Sequence, residues 1–125
     1  MQRITRQREA IRGVLEESGR PMSPAEVLHA ARRRVPTTSL ATVYRNLRSL
    51  VDGGELARVE LPGDAPRYEP RYVADRHHHH FRCRACDVVF DVEGCPRGLA
   101  ALVPKGFRMD RHDIVLYGLC SECAE

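Results

Sequence analysis

Four consecutive histidines run into a Cys-x-x-Cys pair in His77-His78-His79-His80-Phe81-Arg82-Cys83-Arg84-Ala85-Cys86, placing four imidazoles and two thiols within ten residues. A second Cys-x-x-Cys stands at Cys120 and Cys123. A two-residue spacer lets a tight turn present both sulfurs to one tetrahedral ion, so two such pairs make one closed zinc site. Cys83, Cys86, Cys120 and Cys123 are its expected ligands. The long spacer, residues 87–119, means that the metal would clip the start of a small subdomain to its end, which is a structural role. The competing use, a redox dithiol, expects one pair in a strand-helix context rather than two separated pairs.

The histidine run answers to a different geometry. Its flanks show no helical period, and an extended chain sends successive side chains to opposite faces. His77 and His79 then point one way, and His78 and His80 the other. Each face offers two borderline nitrogen ligands and needs one to three more, which is how an exchangeable metal site is built beside a closed one. A solvated His-rich loop is the bland alternative; the mid-chain position argues against an expression tag.

The elements that position these groups must fit in 125 residues, room for one ordinary domain or two very small ones. With 42% apolar and 30% charged residues and no Trp, the chain reads as globular with a modest core. No apolar run approaches the ~20 residues of a membrane span, and Met1-Gln2-Arg3-Ile4-Thr5-Arg6 lacks the apolar stretch of a signal peptide. The expectation is a cytoplasmic protein without membrane association, in which five cysteines serve metals rather than disulfides and Cys95 is an odd thiol. Residues 1–48 hold ten Arg against four Glu, a local +6 within a total of +3, so the rest of the chain carries −3. A basic amino-terminal part joined to a His- and Cys-rich part suggests a polyanion-binding module and a metal-binding module.

Helical signals come first. Residues 5–17, with Thr5 as N-cap and Gly19 beyond the end, carry Ile11, Val14 and Leu15 at helical spacing. Ser23-Pro24-Ala25-Glu26 is a capping box with Pro at the first helical position, and Pro36 stops that segment. A third helix follows Ser39, with Leu40, Val43, Leu47 and Leu50 on one face and Thr42, Tyr44, Arg45 and Arg48 on the other. After Gly53-Gly54 the period drops to two: residues 56–61 and 67–69 read as strands joined by the turn Pro62-Gly63-Asp64-Ala65-Pro66. Three helices and a hairpin make a winged helix-turn-helix, whose third helix enters the major groove of double-stranded DNA. Arg45 or Arg48 would reach a guanine edge, Tyr44 a thymine methyl, and Arg6 and Arg8 of the first helix the phosphates. Residues 70–76 are the candidate hinge. Beyond them, strands at 81–83 and 88–92, a short helix at 96–103 and a strand carrying Ile114, Leu116 and Tyr117 form a unit too small to bury much apolar surface without zinc and a second subunit. The fold class is α+β, with a winged-helix domain at 1–72, a hinge at 73–76 and a small α/β dimerisation domain with a four-Cys zinc site at 77–125.

These residues resemble the ferric uptake regulator family of metal-sensing bacterial repressors. Ser39-Leu40-Ala41-Thr42-Val43-Tyr44-Arg45-Asn46-Leu47 is similar to its recognition helix, the His77–Cys86 run to its metal motif, and Leu116-Tyr117-Gly118-Leu119-Cys120 to its closing strand. The resemblance covers essentially the whole chain and implies a homodimer, a DNA contact at Ser39, a four-Cys structural zinc and a regulatory metal between the domains. Carried over by position, the regulatory ligands are Glu69, His78, His80 and Asp91. A second family site would use His77, His79 and His112; its acidic ligand falls near Gly98, so Glu93 or Cys95 would have to substitute. The amino-terminal histidine that members often place before the second helix is replaced by Gly19-Arg20-Pro21-Met22-Ser23.

The function implied is a metal-dependent transcriptional repressor sensing Fe(II), Mn(II) or Zn(II) and controlling metal-homeostasis genes. The rivals are a peroxide-sensing regulator of the same family, a zinc-stapled DNA binder without sensing, and a zinc enzyme or thiol oxidoreductase. The enzyme reading lacks a His-Glu-x-x-His or deaminase-type pattern to set a general base beside an open zinc.

Overall fold

In the computed structural model the described chain runs from residue 2 to residue 124, with side chains from residue 6 onward. It divides after Arg76 into two compact units.

The first unit begins with helix α1 (Gln2–Ser18), which ends at Gly19, whose φ of +63° is the left-handed stop that glycine allows without strain. Thr5 does not cap it: the helix is already formed three residues earlier. Helix α2 (Pro24–Ala31) starts on the expected capping box, with the Ser23 hydroxyl accepting from the Glu26 N–H and the Glu26 carboxylate accepting from the Ser23 N–H. Helix α3 (Leu40–Asp52) is capped by the Ser39 hydroxyl, which accepts from the Thr42 N–H. Its buried stripe is Val43, Leu47 and Leu50 with Thr42, while Leu40, expected inside, is exposed. Ile11, Val14 and Leu15 of α1 and Val27 and Ala31 of α2 complete the core under α3.

Strands β1 (Leu56–Val59) and β2 (Arg67–Pro70) pair antiparallel as the wing. Met22 adds a bridge to Tyr68 through two 2.9 Å backbone hydrogen bonds, so the approach to α2 forms a third edge of this sheet. Of the expected hinge, residues 73–76, Val73 and Ala74 belong to helix α4 (Arg71–Ala74) and Asp75 and Arg76 lie just beyond its end; the helix is held by the Arg71 N–H donating to the Glu55 carbonyl and by buried Val73. The burial of Arg67 has no local signal in the sequence. The side chain is 2% exposed and pairs with Asp64 at 2.6 Å and with Glu26 at 3.0 Å, tying the wing to the cap of α2.

The second unit is a three-stranded sheet in the order β4-β3-β5. Strand β3 (His78–Cys83) lies between antiparallel β4 (Val89–Glu93) and parallel β5 (Val115–Gly118). The histidine run is therefore itself strand, so the alternation inferred from an extended chain holds. The expected short helix is one 3-10 turn, Leu99–Leu102. Among the described residues of this unit only His79, Cys83 and Val89 are buried, while Leu102, Phe107, Met109, Leu116, Tyr117 and Leu119 are exposed. So thin a core does not hold a 49-residue unit by burial alone.

Candidate metal centres and nucleic-acid interface

The turn from β3 to β4 and the segment after β5 bring the two cysteine pairs together. Asp87 takes a left-handed φ of +65°, and its N–H donates to the Cys83 carbonyl while its carboxylate accepts from Arg82 at 2.9 and 2.8 Å. This fixes the tight turn that the Cys-x-x-Cys spacing requires. Parallel pairing of Cys83 with Gly118 then delivers Cys120 and Cys123 beside it. The four sulfurs lie within 4.8 Å of one another, and Cys86 Sγ stands 3.9 Å from Cys120 Sγ. A tetrahedron with Zn–S bonds of about 2.3 Å has edges of about 3.8 Å, so the sulfurs fit zinc. The N–H groups of Cys86 and Cys120 point at buried Cys83 Sγ and lower its pKa to about 6, while hydrogen bonding to Cys120 pushes Cys123 up to about 12. Zinc is bound by thiolates, so a cation entering the cluster displaces the thiol protons.

The pleat of β3 separates the histidines as expected. On one face, His78 and His80 converge on Asp91, their Nε2 atoms 3.3 and 3.4 Å from its Oδ1. The antiparallel register sets His80 opposite Asp91, so the three belong to a single patch. Burial, and then the charges of His78 and His79, lower the His80 pKa to about 4, which keeps its nitrogen available as a ligand. Glu69 is a buried residue of β2, in the first unit.

On the other face, His77, His79, His112 and Cys95 gather. Cys95 Sγ lies 2.7 Å from His77 Nε2, 3.2 Å from His79 Nε2 and 3.3 Å from His112 Nε2. Glu93, the other substitute considered for this site, is not part of it. Its register partner is His78, which turns it to the opposite face.

The candidate DNA face lies on the first unit. Tyr44, Arg45 and Arg48 are exposed on α3, and Tyr44 and Arg48 share a groove with Arg58 and Tyr68 of the wing. Arg58, exposed in β1, adds to this groove a cation that no sequence motif singles out. Ser39 and Thr42 are spent on the helix itself: Thr42 is 8% exposed, its hydroxyl 3.0 Å from Ser39 Oγ and 3.3 Å from Arg45 Nη2. Arg8 bonds Ser49 at 3.0 Å and faces Glu55, while Arg6 is exposed.

The model of the ferric uptake regulator family matches residues 1–117. The chain belongs to the ferric uptake regulator family. It is 34% identical over 127 aligned positions to the transcriptional regulator FurA of Mycobacterium tuberculosis, covering 98% of this chain and 83% of that protein. The ferric uptake regulator structure of Helicobacter pylori, described as having three functional metal binding sites, matches 95% of this chain and 80% of its own at 30% identity and a TM-score of 0.67. A zinc-bound manganese uptake regulator matches 91% of this chain and 87% of its own at 28% identity and a TM-score of 0.76.

Membership in a family of transcriptional regulators disposes of the enzyme alternative. Within the ferric uptake regulator pattern, Asp91 is marked in the sequence by family position alone. The structure supplies a direct reason for it, the cross-strand pairing with His80. No helix among the described residues is long and apolar enough to cross a membrane.

Proposed function

We propose that this regulator acts as a homodimeric repressor whose affinity for operator DNA is set by a divalent metal. The observation that carries the reading is the convergence of His78 Nε2 and His80 Nε2 on Asp91 Oδ1 at 3.3 and 3.4 Å, a half-built nitrogen and oxygen site. His78, His80 and Asp91 hold the ion from the sheet, and Glu69 supplies a carboxylate from the end of the wing. A bound Fe(II), Mn(II) or Zn(II) supplies a centre of positive charge shared by the two halves, and this mixed ligand set suits all three. A ligand set drawn from both halves restricts their relative motion, so the metal favours one arrangement of the two winged helices, matched to paired half-sites. Coupling of about 1–3 kcal/mol gives roughly 5- to 150-fold tighter DNA binding. Zinc at Cys83, Cys86, Cys120 and Cys123 holds the carboxy-terminal unit, and its exposed apolar side chains pack against a second copy.

Fluorescence anisotropy on duplexes selected from a random pool tests this, with the structural zinc retained and Fe(II), Mn(II) or Zn(II) titrated in. Metal-dependent tightening in the wild type, lost in Glu69→Ala and His80→Ala, is expected. Affinity that ignores the added metal would reduce the protein to a zinc-stapled DNA binder.

A further inference from the structure

The start of α3 holds an apolar side chain in water that neither the core nor the helix cap uses. We infer that Leu40 is a base-reading residue: with Tyr44 it forms an apolar pair that contacts the C5-methyl groups of two neighbouring thymines in the operator. This deepens the operator binding proposed above and rests on it, though not on the metal switch.

Leu40 is 43% exposed, and the core under α3 is filled without it by Val43, Leu47 and Leu50. The helix start does not need it either, since the Ser39 hydroxyl makes the cap by accepting from the Thr42 N–H at 3.1 Å. Single exposed apolar side chains are ordinary on protein surfaces. Two features set Leu40 apart.

The first is where it stands. Leu40, Tyr44 and Arg48 recur every four residues, so they share one strip of α3. Tyr44 is 50% exposed, and with Arg48 it lines the groove that the wing completes with Arg58 and Tyr68. Leu40 continues the strip at its amino-terminal end, where a recognition helix brings its side chains to base edges. The strip runs apolar, apolar, cationic, with exposed Arg45 beside it. DNA answers both parts: phosphates and guanine edges take the arginines, and the thymine methyl is the apolar group that a base edge offers in the major groove.

The second is how firmly it is held. Thr38, 1% exposed, donates its hydroxyl to the Val35 carbonyl at 2.7 Å, and Arg32 Nε donates to the Thr38 carbonyl at 2.9 Å. With the Ser39 cap these bonds fix the backbone on both sides of Leu40, so contact with a methyl group costs little ordering beyond that of the side chain. Four residues of helix advance about 6 Å and one base-pair step about 3.4 Å, so Leu40 and Tyr44 reach thymines within about two steps of each other.

Exchanging thymine for uracil removes only the methyl group. Full-length protein is bound to duplexes selected from a random pool, under the metal and salt conditions of the selection. Each thymine of one half-site is then replaced by uracil in turn while anisotropy reports the affinity. Wild-type protein should show two methyl-dependent positions within about two base-pair steps, each exchange weakening binding about fourfold, the worth of one buried CH2-sized group. Leu40→Ala should bind the all-thymine duplex at least about fourfold more weakly and be indifferent to exchange at one of the two positions. Tyr44→Ala should be indifferent at the other. Leu40→Met, similar in volume, should keep the wild-type profile, and an unchanged melting curve for Leu40→Ala should show that the fold is untouched. No methyl-dependent pair in the wild type would overturn the inference. So would a Leu40→Ala protein that keeps both methyl-dependent positions, whether it binds normally or is weakened on every duplex alike. Failure to select any duplex would remove operator binding and the inference together, whereas a methyl profile that persists without added metal would support the inference and remove only the switch.

Discussion

Replacing Arg67 with Ala should destabilise the first unit more than any single change on the DNA face. The guanidinium is 2% exposed and holds two carboxylates, Asp64 at 2.6 Å and Glu26 at 3.0 Å. Removing one member of a buried ion pair costs about 3–5 kcal/mol, because the remaining charge stays desolvated without its counter-ion. The two carboxylates are not equally stranded. Glu26 keeps Arg20 at 2.9 Å and the Ser23 N–H at 2.9 Å, whereas the Asp64 side chain is only 11% exposed and loses its short contact. The lower end, about 3 kcal/mol, is therefore expected. At about 4–8 °C per kcal/mol for a unit of 60–100 residues, the melting temperature should fall by about 12–24 °C. Circular dichroism at a helical wavelength follows this directly, since α1, α2 and α3 all lie in this unit. Arg67→Ala combined with Asp64→Asn should recover part of the loss, because the stranded charge is gone. A fall below about 4 °C for the single variant, or a double variant worse than the sum of the two singles, would refute the buried-pair account.

Three further outcomes are expected. Cys83→Ser should lose zinc and unfold or dissociate the dimer, since structural zinc contributes its binding free energy to folding and this unit buries only three described residues; native mass spectrometry showing a stable metal-free wild-type dimer would contradict it. His80→Ala and Glu69→Ala should abolish metal activation of DNA binding with fold and dimer intact, and His79→Ala should do less. An inert His80→Ala beside a non-responsive His79→Ala would show the two faces reversed. Arg45→Ala should relax sequence preference, whereas Arg6→Ala should weaken all sequences alike and lower the salt dependence. Equal losses for Arg45→Ala on selected and random duplexes would make it a phosphate contact.

The sequence by itself determined what local rules govern. The capping box at Ser23 and Glu26, the cap at Ser39, the stop at Gly19 and the period of α3 are decided by residues within a turn or two of one another. The two faces of the histidine run followed from the strand alternation alone, and the cysteine pairs from ligand spacing. What tertiary structure decided was everything that depends on register and on contacts distant in sequence. No local signal says that Arg67 is buried, because its partner Glu26 lies 41 residues away and a charged residue next to a turn reads as exposed. Nor could spacing choose between Glu93 and Cys95. Only the pairing of His78 with Glu93 turns that carboxylate to the even face, and only the turn at Gly94 brings Cys95 back to the odd one. A shift of one residue in β4 would exchange the faces, since side-chain direction along a strand has a period of two. The ligand sets follow from the register in which β3 pairs with its two neighbours.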